Sequence, residues 1–561
     1  MSTRKKTLSF RDRYKKCLTW IRRVVIRELS YTGILFALLF FAMSLTPSLL
    51  PRTWLFQGIA SGLSLISGYA VGCMCVFVWR LMHLPELKDT GLRIAKGITG
   101  FGVTVQLAYV LFHTGVWQNT VRQLVGMEPA ESSHLIRVTC LALVLGFVIL
   151  LISRIIRYLF RRLKRHSSKY VSPRVASVIA LIVVSWFFGS IVAGTFTDNA
   201  LRIANNAFSV LDRSIKDGSI QPTSSLRSGG PESEVSWDSL GRQGKAFVGS
   251  GPTAEDIKRF DDNAKEPIRI YTGLQNGDTH EQRAEMALRE LIRTDAFTRK
   301  VVLIATTTGT GYLDPNAVDT FEYIQGGDTA IVSMQYSYLP SGLALLSDTE
   351  SAKLASIALF NEVHNYWQKL DQDTRPDLYL YGLSLGAYGS QASISRVEVL
   401  NDPVDGALWV GPPFVSEFWS RTTQNRDEGS PEWLPVYQEG RVIRFTGPEN
   451  SLYEPTAEWQ DNKIIYVQNA TDPVVFFHTD YIWQKPDWLN GERGPGVTDD
   501  MNFYPVVTFW QLATDFLGSA STPEDFGHLY SKSTYIESWA ALTEPAGWNL
   551  EREEALKSLV D

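Results

Sequence analysis

Ser384, Asp472 and His528 are the residue types that cleave acyl esters, and they follow one another along the chain as nucleophile, acid and base. Ser384 is the centre of Gly382-Leu383-Ser384-Leu385-Gly386, a Gly-x-Ser-x-Gly pentapeptide. The β-rich run Asp377-Leu378-Tyr379-Leu380-Tyr381 leads into it, and residues 387–392 lead out with small, helix-tolerant side chains. A nucleophile on such a strand-to-helix turn holds an unfavourable backbone angle. Small residues two before and two after it keep the turn clear of its neighbours. The bland alternative is a glycine-rich turn that merely opens a helix.

A serine hydroxyl is a poor nucleophile until a base takes its proton, and the base needs a third group to fix its tautomer. In a doubly wound sheet these groups stand on loops at the carboxyl ends of strands. The apolar run Ile464-Ile465-Tyr466-Val467 ends five residues before Asp472, and Pro473 stops the strand continuing. Two histidines follow, His478 and His528. His478 is so close to Asp472 that one loop would have to supply both, so His528 is the expected base. Glu417, just after the strand ending at Val410, is the alternative acid. The oxyanion needs two backbone N–H groups. One is expected from Leu385, and the other from Thr308 or Thr307 in Thr306-Thr307-Thr308-Gly309-Thr310-Gly311, between which the sequence does not choose. No Gly-Lys-[Ser/Thr] follows that loop, which argues against a phosphate cradle. The chemistry calls for no cofactor and no metal, and Cys73-x-Cys75 in an apolar run reads as packing.

The elements needed to position these residues are legible around them. Residues 267–271, 300–305, 329–334, 377–381, 406–410 and 463–467 read as strands. Helical periodicity covers 281–293 and 348–370. Alternation of this kind predicts an α/β class with a doubly wound, mainly parallel sheet over residues 266–561.

The net charge of −5 conceals a sharp division. Residues 1–196 carry 25 Lys and Arg against 6 Asp and Glu, whereas residues 197–561 carry 29 against 53. The basic charges lie between apolar runs at 31–50, 54–79, 97–117, 138–160 and 175–196, which excludes a nucleic-acid reader. Each run has roughly the 20 residues that cross about 30 Å of hydrocarbon, so residues 31–196 are expected to form five membrane spans. Basic residues crowd positions 4–27, then Arg80 to Lys96 (with Lys88), then Arg161 to Arg174. The positive-inside rule puts residues 1–30 in the cytoplasm and, after five crossings, the acidic part outside the plasma membrane. All four cysteines (Cys17, Cys73, Cys75, Cys140) fall in the membrane part, so no disulfide staples the acidic one. Residues 197–265 read as an amphipathic helix followed by a Gly/Ser/Pro-rich linker, with Trp237 and Phe247 suggesting that part of it folds against something.

With the pentapeptide, Asp472 and Gly527-His528 in place, residues 267–540 resemble an α/β-hydrolase fold. The whole chain resembles the actinobacterial membrane-anchored α/β-hydrolases with an N-terminal multi-span domain. That resemblance is carried by Ser44-Leu45-Thr46-Pro47-Ser48-Leu49-Leu50-Pro51-Arg52, Gly241-Arg242-Gln243-Gly244 and Thr308-Gly309-Thr310-Gly311-Tyr312. It implies an enzyme of the serine-hydrolase type and fixes no substrate. Between Asp472 and His528 the chain is crowded with aromatics, among them Phe477, Trp483, Phe509 and Phe516. Such a segment suits either an acyl-binding wall or a domain core. The expected partner is a lipid or acyl ester at the outer face. The leading reading is an esterase or lipase. An envelope acyltransferase with the same triad and a non-catalytic membrane scaffold are the alternatives.

Overall fold

The first membrane segment stops short of its expected length. In the structure, a computed structural model that describes residues 29–85, 89–190, 196–216, 218–394 and 402–560, helix α1 covers Tyr31–Ser44. Its 14 residues rise about 21 Å, less than a hydrocarbon core. Pro47 has no N–H to continue the ladder and disfavours helical backbone at the residue before it, and residues 45–53 run on as an irregular strap. The helices α2 (Trp54–Leu81), α3 (Asp89–Leu124), α4 (Leu135–Ser167) and α5 (Pro173–Ser190) follow. Among the described residues three helices, α2 to α4, are long and apolar enough to cross a membrane, whereas five spans were expected. The basic residues 1–28 with Cys17, and Lys88, lie outside the described residues.

The membrane helices meet on small side chains, as helices do where lipid offers no hydrophobic drive to associate. A Cβ added to Gly72 of α2 would lie 2.6 Å from the Thr32 carbonyl of α1. The carbonyl of Ser44 at the end of α1 accepts from Gln57 Nε2 at 2.8 Å, and Ser44 Oγ reaches Ser61 Oγ at 2.8 Å.

Residues 266–560 form the sheet and its helices. Seven strands, all parallel, run β1 (Ile268–Thr272), β2 (Val301–Thr306), β3 (Thr329–Met334), β4 (Asp377–Leu383), β5 (Gly406–Val410), β6 (Ile443–Thr446) and β7 (Lys463–Val467), in spatial order 1-3-2-4-5-7-6. All six residues of β2 are buried, as a strand covered on both faces requires. β6 is the one strand unforeseen in the sequence. It is four residues long and has Arg444 at its centre, whose guanidinium is satisfied by the carbonyls of Gly440, Leu452 and Ala457.

Besides the single turn Ala254–Ile257, the helices described after the membrane part are α6 (Phe196–Asp212), α7 (Gly241–Val248), α8 (His280–Arg293), α9 (Pro315–Ile324), α10 (Ser341–Ser347), α11 (Thr349–Trp367), α12 (Leu385–Ile394), α13 (Glu417–Gln424), α14 (Val507–Leu517), α15 (Lys532–Thr543) and α16 (Leu550–Val560). The expected linker is not free. Ser228 N donates to Arg269 O and Arg269 N to Leu226 O, so residues 226–228 cover the open edge of β1, and α7 packs on Tyr271. An uncovered edge strand is a template for misassembly, which gives this stretch a structural task.

The strap joins the two parts. Arg52 Nε donates to Asp515 Oδ1 at 2.7 Å, Ser48 donates to the other oxygen, and Gln511 Nε2 donates to Thr46 O at 3.1 Å. Leu49 and Leu50 belong to the apolar core of the sheet domain. Helix α14 lies along α2, with Trp510 Nε1 donating to Ser67 Oγ at 3.0 Å and Phe56 against Gly518. The sheet domain is therefore docked on the membrane helices.

Removing one partner of a buried ion pair leaves an uncompensated charge. Asp515→Ala is expected to cost about 3–5 kcal/mol, read as a lowered unfolding midpoint of the detergent-solubilised full chain. Arg52→Met combined with Asp515→Leu should recover most of it. A single variant as stable as wild type would refute this docking.

Candidate active site

Strand β4 delivers Ser384 into a left-handed conformation, φ +55°, before α12 begins at Leu385. Left-handed backbone is costly for a non-glycine residue, so the surroundings must impose it. Ser384 N donates to Val410 O at 2.8 Å, continuing the β4–β5 ladder one residue past the strand. The flanking glycines are forced by contact. A Cβ on Gly382 would collide with the backbone of Gly386, and one on Gly386 with the carbonyl of Thr306.

The loop after β7 presents Asp472, which is fully buried. Its Oδ2 accepts from His528 Nδ1 at 2.6 Å and from Tyr530 OH at 2.7 Å, while Oδ1 accepts from Val474 N at 2.8 Å. With Nδ1 fixed by the acid, His528 Nε2 is buried and has no partner among the described residues. The ring lies over Gly411, where a Cβ would meet His528 Cε1 at 2.7 Å. Gly411 directly follows Val410, whose carbonyl holds Ser384. The end of β5 thus brings the serine backbone and the histidine ring to adjacent residues.

The histidine loop is pinned by the acid loop. Asn469 Nδ2 donates to the carbonyls of Gly527 and Leu529, both at 3.0 Å, and Gly527 N donates to Thr471 Oγ1 at 2.9 Å. His528 N donates to Ser519 O at 2.8 Å.

The oxyanion candidates separate. Leu385 opens α12, where first-turn N–H groups have no intrahelical acceptor. Thr308 N is committed to Tyr312 O at 3.0 Å. Thr307 N has no acceptor among the described residues, and its hydroxyl is anchored on Met334 O at 3.0 Å. Of the two, only Thr307 keeps an uncommitted N–H among the described residues. Glu417, the alternative acid, opens α13 with its side chain 78% exposed and paired with Arg421 at 3.6 Å, apart from the Asp472–His528 pair.

A sequence model of the alpha/beta-hydrolase family matches residues 268–556, and one of that family's N-terminus matches residues 45–252. The chain belongs to the alpha/beta-hydrolase family. No curated protein and no solved structure matches it. In this hydrolase-family chain the N-terminal match starts at Leu45, within the strap that docks the two parts.

Tyr530, Asn469 and Thr471 escaped the sequence reading. A polar run, Gln468-Asn469-Ala470-Thr471-Asp472, directly after an apolar strand was their available signal, since buried polar groups must find partners. Burial and the neighbouring Asp472 charge push the Tyr530 hydroxyl well above its ordinary range, which keeps it a donor. The crowded aromatics divide: Phe476 and Trp488 are core. Phe477, only partly buried against that core, meets Phe414 edge-on and Phe509 and Phe516 at tilted angles, with centroids 5.1, 5.5 and 6.4 Å away. Beside them lies a cavity of about 260 Å³ whose lining includes Trp419, Tyr481 and Glu432.

Tyr530→Phe removes one bond to a buried carboxylate, a contact worth about 1.5–3 kcal/mol. Turnover at this site is expected to fall roughly 10- to 100-fold with folding retained. Burial raises the Glu432 carboxyl from its ordinary 4.5 to about 7. The stability it contributes is full below pH 4.5 and is lost as pH rises through about 7. Wild type should therefore lose stability between pH 5 and 8 relative to Glu432→Gln, measured as paired unfolding midpoints.

Proposed function

We propose that this chain is a serine ester hydrolase that forms an acyl-enzyme on Ser384. The observation that supports it most is His528, held by Asp472 on one side with Nε2 free on the other, above the glycine adjoining the serine's backbone anchor. Ser384 Oγ attacks the ester carbonyl carbon and its proton passes to His528 Nε2. Asp472 holds the imidazolium that forms. The carbonyl π pair moves onto oxygen, stabilised by the N–H groups of Leu385 and Thr307. Collapse expels the alcohol, which takes the proton from Nε2. Water then repeats the sequence, releasing the acid and restoring the serine.

The substrate class is a lipid or acyl ester at the outer face of the membrane. The charge asymmetry of the flanking segments supports that placement, and the Phe414–Phe477–Phe509 cluster beside the acid loop supports an acyl chain.

The test is labelling of membranes with a fluorophosphonate probe. Wild type is expected to label, while Ser384→Ala and His528→Ala lose it and Asp472→Asn falls by about 10⁴-fold in rate. Folded wild type that does not label would overturn the reading. Product analysis with and without an added alcohol then distinguishes hydrolysis from acyl transfer.

A further inference from the structure

Helix α10 follows strand β3 and borders the oxyanion loop. Gly309 N donates to Ser341 Oγ at 3.2 Å, and a Cβ on Gly309 would strike the backbone of Leu339 to Ser341. Its sequence, Ser341-Gly342-Leu343-Ala344-Leu345-Leu346-Ser347, contains no charge. Ala344 and Leu345 are buried, whereas Leu343 and Leu346, one turn apart, are 37% and 79% exposed. Two exposed leucines alone are ordinary, so the character of the elements beside α10 decides whether they belong to a larger apolar face.

Its neighbours share this character. On one side Gly342 faces Phe516 of α14, and the next residue, Leu517, is 63% exposed. α14 is packed along the membrane helix α2. On the other side, Gln335 Nε2 donates to Asp212 Oδ1 at the end of α6 and to Thr310 O in the oxyanion loop. α6 turns Leu201, Ala204 and Phe208 to the core but leaves Ile203 and Val210, two turns apart on one face, about 70% exposed. α6 begins six residues after α5, an apolar helix of the membrane part.

We propose that the exposed faces of α6 and α10 rest in the hydrocarbon of the bilayer. The mouth of the serine site then opens laterally, and its substrate is a long-chain lipid ester drawn from the membrane. This deepens the ester-hydrolase reading and rests on it for the chemistry. The bilayer is the occupant because α14, which flanks α10, is packed along the membrane helix α2, and α6, tied to the oxyanion loop through Gln335, follows the apolar helix α5 in sequence. Transfer of such side chains from water to hydrocarbon is favourable in proportion to their exposed area.

The full chain reconstituted in phosphatidylglycerol and phosphatidylethanolamine vesicles provides the test. Leu343→Gln with Leu346→Gln is expected to slow cleavage of vesicle-resident dioleoylglycerol by about tenfold or more. Cleavage of soluble p-nitrophenyl butyrate should stay within about twofold. Equal effects on both substrates, or on neither, would overturn the portal. A second measurement does not depend on turnover. With the four native cysteines replaced by serine, an environment-sensitive dye on Leu346→Cys should be quenched by brominated lipids. An unquenched dye refutes the membrane contact even if fluorophosphonate labelling succeeds. Quenching without labelling of wild type would instead reject the hydrolase reading alone.

Discussion

Arg52 and Asp515 stand 463 residues apart and are both almost wholly removed from solvent. Neither charge is tolerable in that place without the other, because desolvation of a lone ion costs several kcal/mol. The pair therefore fixes one arrangement of the membrane helices against the sheet domain. Ser48, Gln57 and Gln511 satisfy most of the remaining polar atoms around the strap, and Leu49 and Leu50 seal it with apolar contact. Helix α14, which carries Asp515, leads directly into the loop that bears His528. Leu50 lies 3.5 Å from the place a Cβ on Gly527 would occupy. A segment between two membrane helices thus forms part of the wall behind the histidine.

The site itself is assembled at the carboxyl ends of neighbouring parallel strands. The β4–β5 ladder runs one bond further to hold Ser384, and the β5–β7 ladder one bond further to hold Gly411 under the imidazole. Parallel strands end together, so the loops that follow them meet without long excursions. The acid loop does two tasks: Asp472 orients His528, while Asn469 and Thr471 grip the histidine loop by its backbone. Orientation of the His528 ring is consequently set by Asp472, on a loop held through its backbone by Asn469 and Thr471.

The sheet was readable because buried parallel strands are mostly apolar or β-branched runs, and six of seven stood out that way, β1 in spite of Arg269 within it. β6 hid because a buried arginine at its centre is tolerated by three carbonyls that no local pattern announces. Ser384, Asp472 and His528, the last two of which folding brings to Gly411, next to the residue that anchors Ser384, were legible as residue types in order with the right flanks. Tyr530 was not, since a tyrosine two residues from a histidine looks like any other core aromatic. The first membrane segment was misjudged at its end, where apolar composition continued past Ser44 although Pro47 ended the helix. In the stretch rich in Gly, Ser and Pro, Trp237 and Phe247 signalled that part of it packs, and Phe247 does lie against Tyr271, whereas the pairing of residues 226–228 with β1 had no local signal.

By itself the sequence determined what is local or periodic. The elbow is fixed by two glycines, the parallel sheet by apolar runs alternating with helices, and the membrane part by long uncharged stretches between basic loops. The tertiary structure decided what depends on residues distant in the chain meeting. It freed the Thr307 N–H while occupying that of Thr308, turned Glu417 to solvent, and set Arg52 on Asp515. Each of those outcomes is a competition among partners for one hydrogen bond or one buried charge, and the competitors are known once the chain has folded.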